Sequence, residues 1–299
     1  MNNLKKCLIC DSENVEVRES EVRKFLVERM FEFNEQENYL IHCKYCGFAF
    51  YSLRPTEEQL NKFYQGYRND EYQKQRQKFE CWYTKEINEA IGKTKEEIEN
   101  RQILLENILI ENMNINEIKS VLDYGGDKGQ LISGIFNNSV KYVYDISQVE
   151  AVPNVTALNT ITAVAERKYD FIMSTHVLEH VCYPDKIIKE IQNLLAKDGY
   201  FYLELPLDSP FYKNPFAAFQ FLFNKYFPLK TIWKHYWYLK KYKKFVPMHE
   251  HINYFTPESV KYMLEQNGFE VVYSEVLDLN VGWSKGKAIS TLARLATSN

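Results

Sequence analysis

The stretch Val121-Leu122-Asp123-Tyr124-Gly125-Gly126-Asp127-Lys128-Gly129 constrains the fold most: an apolar strand runs into a glycine-bearing turn, and a helix is expected from near Gln130. Glycine lets a backbone turn sharply and approach a ligand closely, so this turn predicts a nucleotide-type cofactor site, although such a turn also serves simply to pack a helix against a strand. Asp123 at the strand end can accept hydrogen bonds from a polar or cationic group. Asp145 ends the next apolar run, Val140 to Tyr144, where a ribose is held through its hydroxyls. The dinucleotide fingerprint Gly-x-Gly-x-x-Gly fails, because Asp127 stands two residues after Gly125. An acidic loop repels phosphate; Asp123 and Asp127 flanking the turn suit a cofactor with a positive centre.

Downstream, short β-rich runs alternate with segments of helical period. Asp185 to Leu195 places apolar residues at steps of three and four, while Lys168 to Ser174 and Gly199 to Pro206 read as strands. Alternation of this kind implies a mostly parallel sheet covered by helices, an α/β fold whose ligands lie beyond the carboxyl ends of its strands. Asp123, Asp145 and Ser174 all fall at such ends.

The order of these motifs resembles the class I S-adenosylmethionine-dependent methyltransferases, whose first motif is an acid followed by a Gly-x-Gly-x-Gly turn after strand one. Here it reads Asp123, Gly125, Asp127, Gly129, with Asp127 replacing the middle glycine. The resemblance covers residues 97–281 and implies a Rossmann-like sheet with helices on both faces. It also implies S-adenosylmethionine as cofactor, with Asp123, Gly125, Gly126, Gly129, Asp145 and Ser174 as contacts. Helices before strand one often cover the cofactor in that family, which makes Tyr64, Tyr67 and Tyr72 candidates to line the site. Ordinary packing is the competing role for these aromatics.

A second signal is Cys7-x-x-Cys10 and Cys43-x-x-Cys46-Gly47, two knuckles separated by residues 11–42. Four thiolates match the tetrahedral preference of a structural zinc ion, and four soft ligands leave no position for chemistry. A pair of disulfides is the competing reading, disfavoured in a reducing compartment. Strand-like runs between the knuckles suggest a zinc ribbon. The expected organisation is a zinc-binding module over 1–54, a helical linker and cofactor cover over 55–112, and a methyltransferase domain over 113–299.

Composition sets outer bounds. A chain of 299 residues with 45% hydrophobic residues can build such a domain and a smaller one. Its net charge of −3 argues against whole-chain attraction to nucleic acid. No apolar run approaches the ~20 residues that span a bilayer. The polar start Met1-Asn2-Asn3-Leu4-Lys5-Lys6 has no signal-peptide core behind it, so the expected location is the cytoplasm.

Methyl transfer to an alcohol requires in-line geometry and removal of the acceptor proton, and histidine titrates in the right range to take it. His176 and His180 follow strand four, and His249-Glu250-His251 precedes the helix at Pro257. Singly, each is more often a structural histidine than a base; two segments meeting in one cleft would change that. A narrower resemblance, to sugar methyltransferases that join a four-cysteine zinc module to this fold, implies His180 as base, Glu250 as its orienter and His251 as a second candidate. It implies a sugar or nucleotide-sugar acceptor, with O-methylation favoured over C-methylation of a nucleotide-activated keto sugar. The deoxysugar C-methyltransferases of that group continue into a further carboxy-terminal domain, whereas this sequence stops at Asn299.

Residues 206–248 interleave aromatics such as Phe211, Trp233 and Trp237 with lysines, and acids are nearly absent. A substrate lid, a patch meeting a membrane or lipid-linked glycan, and an oligomer interface all fit this pattern. Nucleic-acid association is a weaker reading, since the zinc module carries no basic run. A function of another class is a non-catalytic cofactor-binding scaffold, motivated by Asp127 in the first motif.

Overall fold

A computed structural model of the chain describes residues 6–32, 36–90, 94–211, 247–281 and 284–296. Residues 212–246, which make up most of the aromatic and basic insert, lie outside the described residues, and the readings attached to them lie there too. Among the described residues no helix is long and apolar enough to cross a membrane.

The amino-terminal part comprises β1 (Val15–Ser20), α1 (Lys24–Phe31), β2 (Asn38–Cys43) and β3 (Ala49–Tyr51). β1 and β2 pair antiparallel from Val15 opposite Cys43 to Ser20 opposite Asn38, and β3 pairs with β2. Within Val15 to Ile41, read from sequence as containing strand-like runs, β1 and most of β2 are strands, and α1 lies between them. Phe25 and Leu26, then Met30 and Phe31, are buried: adjacent pairs about one turn apart, a pattern that period-two alternation cannot satisfy. α1 packs with Phe63 and Tyr72 of the helices that follow.

Those helices are α2 (Glu57–Tyr64), α3 (Asp70–Phe79), α4 (Lys85–Ala90) and α5 (Lys95–Asn112). Thr56 starts α2 through a capping box with Gln59, Asn69 caps α3, and Thr94 caps α5.

The main sheet follows: β4 (Ser120–Tyr124), β5 (Val140–Tyr144), β6 (Thr156–Leu158), α6 (Ile161–Ala165), β7 (Tyr169–Thr175), α7 (Pro184–Leu194) and β8 (Leu195–Pro206). After residues 207–252 come β9 (Asn253–Tyr254), α8 (Pro257–Gln266), β10 (Phe269–Val281) and β11 (Ser284–Leu295). The strand order is β10-β11-β8-β7-β4-β5-β6. The five strands from β8 to β6 are parallel, and β11 runs antiparallel between β8 and β10. This is the Rossmann-like sheet of class I methyltransferases. The chain winds outward from β4 to β6, then returns to β7 on the other side of β4, so a crevice opens at the β4 and β5 carboxyl ends.

Alternation along the strands divides the core. Val121, Phe171, Met173 and Tyr202 face α5 residues Leu105, Ile108 and Leu109. Leu122, Ile172, Phe201 and Leu203 face the other way, against Ile188 and Ile191 of α7 and Val260, Met263 and Leu264 of α8. That second core also contains Cys7, Cys43, Cys46 and Phe48, so the cysteine knuckles pack on the same apolar mass as the sheet. β9 adds to the edge of β3, which couples the segment after His251 to the amino-terminal sheet.

The helix expected from near Gln130 does not form. Residues 125–139 run through turns and a single 3-10 turn at Gly134–Phe136 before β5 begins. Gly129, Ser133, Gly134, Asn137 and Asn138 explain the difference: these residues favour local turns over helix interiors.

Candidate active site

A cleft of about 1470 Å³ lies at the carboxyl ends of β4, β5 and β7. Its floor is the loop after β4 and its walls are the segments after β5 and β7. Tyr64, Tyr67, Trp82 and Tyr83 from the helical segment form one side, and Glu250 and His251 close the far end.

At the β4 end, Gly125 adopts φ 77°, and a Cβ there would meet Val177 Cγ2 at 2.5 Å. Gly126 lies directly against Asp123, where a Cβ would stand 2.1 Å from the carboxyl carbon. Asp127, in the place of a glycine, takes the left-handed conformation itself at φ 54°, one of the few non-glycine residue types that tolerate it. Its backbone N–H donates to Asp145 Oδ2 at 3.0 Å, and Asp145 Oδ1 accepts from Ser147 N–H at 2.8 Å and Ser147 Oγ at 2.6 Å. The loop therefore keeps the path of a glycine turn despite the substitution.

Asp123 is fully buried, and neither carboxylate oxygen meets a hydrogen-bond donor among the described residues. Burial, opposed by Arg101 and reinforced by the charges of Asp145 and Asp127, raises its pKa from 3.8 to about 7. Asp145, Gly125 and Gly126 line the cleft; Asp123 sits beneath Gly126, and Gly129 packs below the loop against Val155. Ser174 is buried with an unpartnered Oγ and does not reach the cleft wall. Tyr72, expected over the cofactor, is turned into the core between Phe25 and Phe63, and its hydroxyl accepts from Arg76 Nη1 at 3.2 Å. A tyrosine on the inner face of α3 buries its ring more completely there than at a cleft rim.

At the other end, the loop after β7 meets the segment before β9. Asn253 fastens them: its Nδ2 donates to Leu178 O at 2.8 Å and Val181 O at 2.7 Å, and its Oδ1 accepts from Arg54 Nη1 at 2.8 Å. His180 and His251 are thereby set edge to face, ring centres 4.8 Å apart. His180 Nδ1 bonds the backbone carbonyl of Glu250 at 3.0 Å, and His251 Nδ1 bonds Asp208 Oδ2 at 3.0 Å. Glu250 thus orients His180 through its main chain, not its carboxylate. The carboxylate pairs with Arg76 and accepts from Tyr67 Oη at 3.2 Å.

Burial lowers the His180 pKa against the attraction of Glu179, which favours the neutral imidazole at neutral pH. For His251, burial acts to lower the pKa, but the hydrogen bond to Asp208 and the charges of Glu179, Asp208 and Glu250 together raise it. His176 differs from both. Burial would lower its pKa, but Glu179 and Glu204 on its two sides raise it to about 9, so it stays an imidazolium. His176 Nε2 lies 3.1 Å from Glu204 Oε1, Arg101 pairs with the same carboxylate, and the His176 backbone holds φ 57°. His249 turns away from the cleft and bonds Tyr254 Oη through Nε2 at 3.2 Å.

Sequence reasoning missed Arg76, Arg101, Glu204 and Asn253. Only Asn253 carried a local signal, two residues after His251; the others become partners through contacts far apart in the chain.

The four cysteines of the knuckles form a second cluster, each offering a sulfur within 4.8 Å of the others. Cys7 and Cys46 sulfurs are 3.7 Å apart, Cys10 and Cys43 sulfurs 3.5 Å, and none is in a disulfide. A tetrahedral zinc with bonds of about 2.3 Å sets its sulfurs about 3.8 Å apart, so the donors fit. The Ile9 and Cys46 N–H groups donate to Cys7 and Cys43 sulfurs, each at 3.5 Å, an arrangement that stabilises thiolates.

Comparison with known proteins agrees with the sheet. A family model described as Methyltransferase domain matches residues 64–274. No curated protein matches the sequence significantly. Among solved structures, the 1,6-didemethyltoxoflavin-N1-methyltransferase of Burkholderia thailandensis, with bound 1,6-didemethyltoxoflavin and S-adenosylhomocysteine, is similar at 14% identity and TM-score 0.48, over 85% of this chain and 98% of that one. A Listeria monocytogenes protein described as an S-adenosylmethionine dependent methyltransferase is similar at 14% identity and TM-score 0.43, over 66% of this chain and 99% of that one. Both scores fall below 0.5, too low to carry an acceptor or a residue role across. The family match covers most of the chain, and the sheet order is that of the class I fold: the chain belongs to the methyltransferase-domain family and is an S-adenosylmethionine-dependent methyltransferase.

Proposed function

We propose that this enzyme transfers the methyl group of S-adenosylmethionine to a hydroxyl of a sugar or nucleotide sugar, and that Cys7, Cys10, Cys43 and Cys46 hold a structural zinc ion. One juxtaposition carries the reading: a single cleft joins an acidic, glycine-turned end at Asp145 to the His180 and His251 pair at its far end. Gly125, Gly126 and Asp145 would hold the cofactor, Asp145 through lone pairs able to accept from ribose hydroxyls, and the acidic loop would suit its positive charge. Zinc supplies fold stability and no chemistry, since four thiolates close its coordination sphere.

The acceptor oxygen becomes nucleophilic by losing its proton. His180 is the residue that engages it, because burial keeps the ring neutral and the Glu250 carbonyl leaves Nε2 as the nitrogen facing the cleft. Tyr64, Tyr67 and Trp82 support a sugar acceptor, because aromatic faces stack on the apolar faces of sugar rings. The test is a panel of sugar nucleotides and free glycans incubated with methyl-labelled cofactor, with the methylated atom located by NMR. A labelled O-methyl sugar is expected. A C-methyl product would move the assignment to carbon, and label only on non-sugar acceptors would overturn the substrate class. Alanine at His180 or His251 is expected to spare cofactor binding while lowering turnover at least tenfold.

A further inference from the structure

The acceptor end of the cleft contains a feature that a simple base would not need. Glu179 is 1% exposed, yet neither carboxylate oxygen has a hydrogen bond among the described residues. Its nearest nitrogens are His176 Nδ1 at 3.5 Å and His180 Nε2 at 3.8 Å. A buried carboxylate is costly unless cations or donors meet it; the His176 imidazolium faces this one from one side, and the side toward His180 and His251 has no hydrogen-bond donor. Glu179, His180 and His251 each offer one ligand atom within 4.8 Å of the other two. Both imidazoles have Nδ1 committed, His180 to the Glu250 carbonyl and His251 to the Asp208 carboxylate, which leaves Nε2 of each ring as the donor toward this point. Imidazoles that ligate metals are held in this manner, the far nitrogen fixed by a carbonyl or carboxylate.

We propose that Glu179, His180 and His251 form a binding site for a divalent first-row transition ion, distinct from the cysteine site. Two imidazoles and one carboxylate suit manganese, iron, cobalt, nickel or zinc, and leave coordination positions open for an acceptor. Donors around such an ion stand about 3 to 3.5 Å apart, so the three side chains close by about 1 Å on binding. The Asp208 carboxylate behind His251 adds negative charge on the protein side. The two clusters are told apart by softness: four thiolates select zinc, whereas a nitrogen and oxygen set accepts manganese.

The use of the ion in methyl transfer rests on the reading above, although its binding does not. An acceptor hydroxyl coordinated to the ion loses its proton to solvent more readily. The resulting oxygen forms the new bond to the methyl carbon as the carbon–sulfur bond breaks, and the sulfonium leaves as a neutral thioether. His180 then acts on the acceptor through the ion.

The test uses the full chain carrying one zinc equivalent and titrates it with manganese(II), reading the free-ion signal by electron paramagnetic resonance. One further equivalent is expected to bind, with affinity falling at least tenfold in Glu179→Gln and in His251→Ala, while zinc content and S-adenosylhomocysteine affinity stay unchanged. Glu179 is buried, so a folding defect in its variant would mimic loss of the ion; the His251 side chain is 24% exposed, so that variant decides the case alone. No manganese bound at millimolar concentration, or equal affinity in His251→Ala, overturns the site. Manganese binding without any cofactor binding would leave the ion site standing and remove the acceptor role built on it.

Discussion

Asp123→Asn should stabilise the protein above neutral pH, the reverse of what a conserving change at a buried position usually does. The wild-type carboxyl rises from 3.8 to about 7 because it is buried beneath Gly126 without a donor. A folded-state pKa above the unfolded value means that the native chain keeps a proton the unfolded chain has lost. Wild-type stability attributable to this group therefore falls as pH rises from about 4 to about 7, and is flat above that. The full cost above pH 7 is about 4 kcal/mol. Asparagine removes it but leaves an amide with unmet hydrogen bonds, costing about 1–3 kcal/mol. The net expectation is about 1–3 kcal/mol of stabilisation at pH 8 and near zero at pH 5, a swing of about 3 kcal/mol. Urea unfolding of both proteins at the two pH values measures it. A variant less stable than wild type at pH 8, or a difference that does not change with pH, refutes the reasoning. Cofactor affinity should fall in the same variant, because a strained charge at a site is commonly retained for its ligand.

Three further outcomes follow from the geometry. Asp127→Gly should keep the N–H bond to Asp145 and the φ of 54°, and raise the unfolding midpoint by the equivalent of about 0.5–1 kcal/mol, since glycine occupies the left-handed region without Cβ strain. Arg76→Met should destabilise by about 3–5 kcal/mol in denaturant titration, because the nearly buried Glu250 loses its ion pair with Arg76 and Glu80 keeps only Arg23. Cys43→Ser, or zinc removal by a chelator, should lower the melting temperature of the whole chain in one calorimetric transition; a separate low-temperature transition would contradict the shared core of Cys43, Phe48 and the sheet.

The parallel sheet was legible because its signals are local. Val121 to Tyr124 and Lys168 to Ser174 are short runs rich in β-formers, and the amphipathic period of Pro184 to Leu194 is strong. One local reading failed for a local reason: the turn after Gly126 continues as turns because glycine, serine and asparagine recur. The acceptor end was legible only in its histidines. Whether Glu250 faces His180 by carboxylate or carbonyl depends on Asn253, whose bonds reach back 72 and 75 residues to Val181 and Leu178, and on Arg76, far from Glu250 along the chain. The pairing of Arg101 with Glu204 and of Glu204 with His176 likewise has no period to reveal it.

The central claim is that the acidic turn between β4 and β5 receives a cationic sulfonium cofactor and not a dinucleotide. Calorimetric titration of the zinc-replete protein with S-adenosylmethionine and, separately, with NAD tests it most directly. Saturable binding of the first alone, weakened at least tenfold by Asp145→Ala, is the predicted result; no heat with S-adenosylmethionine, or binding of NAD alone, would contradict the account.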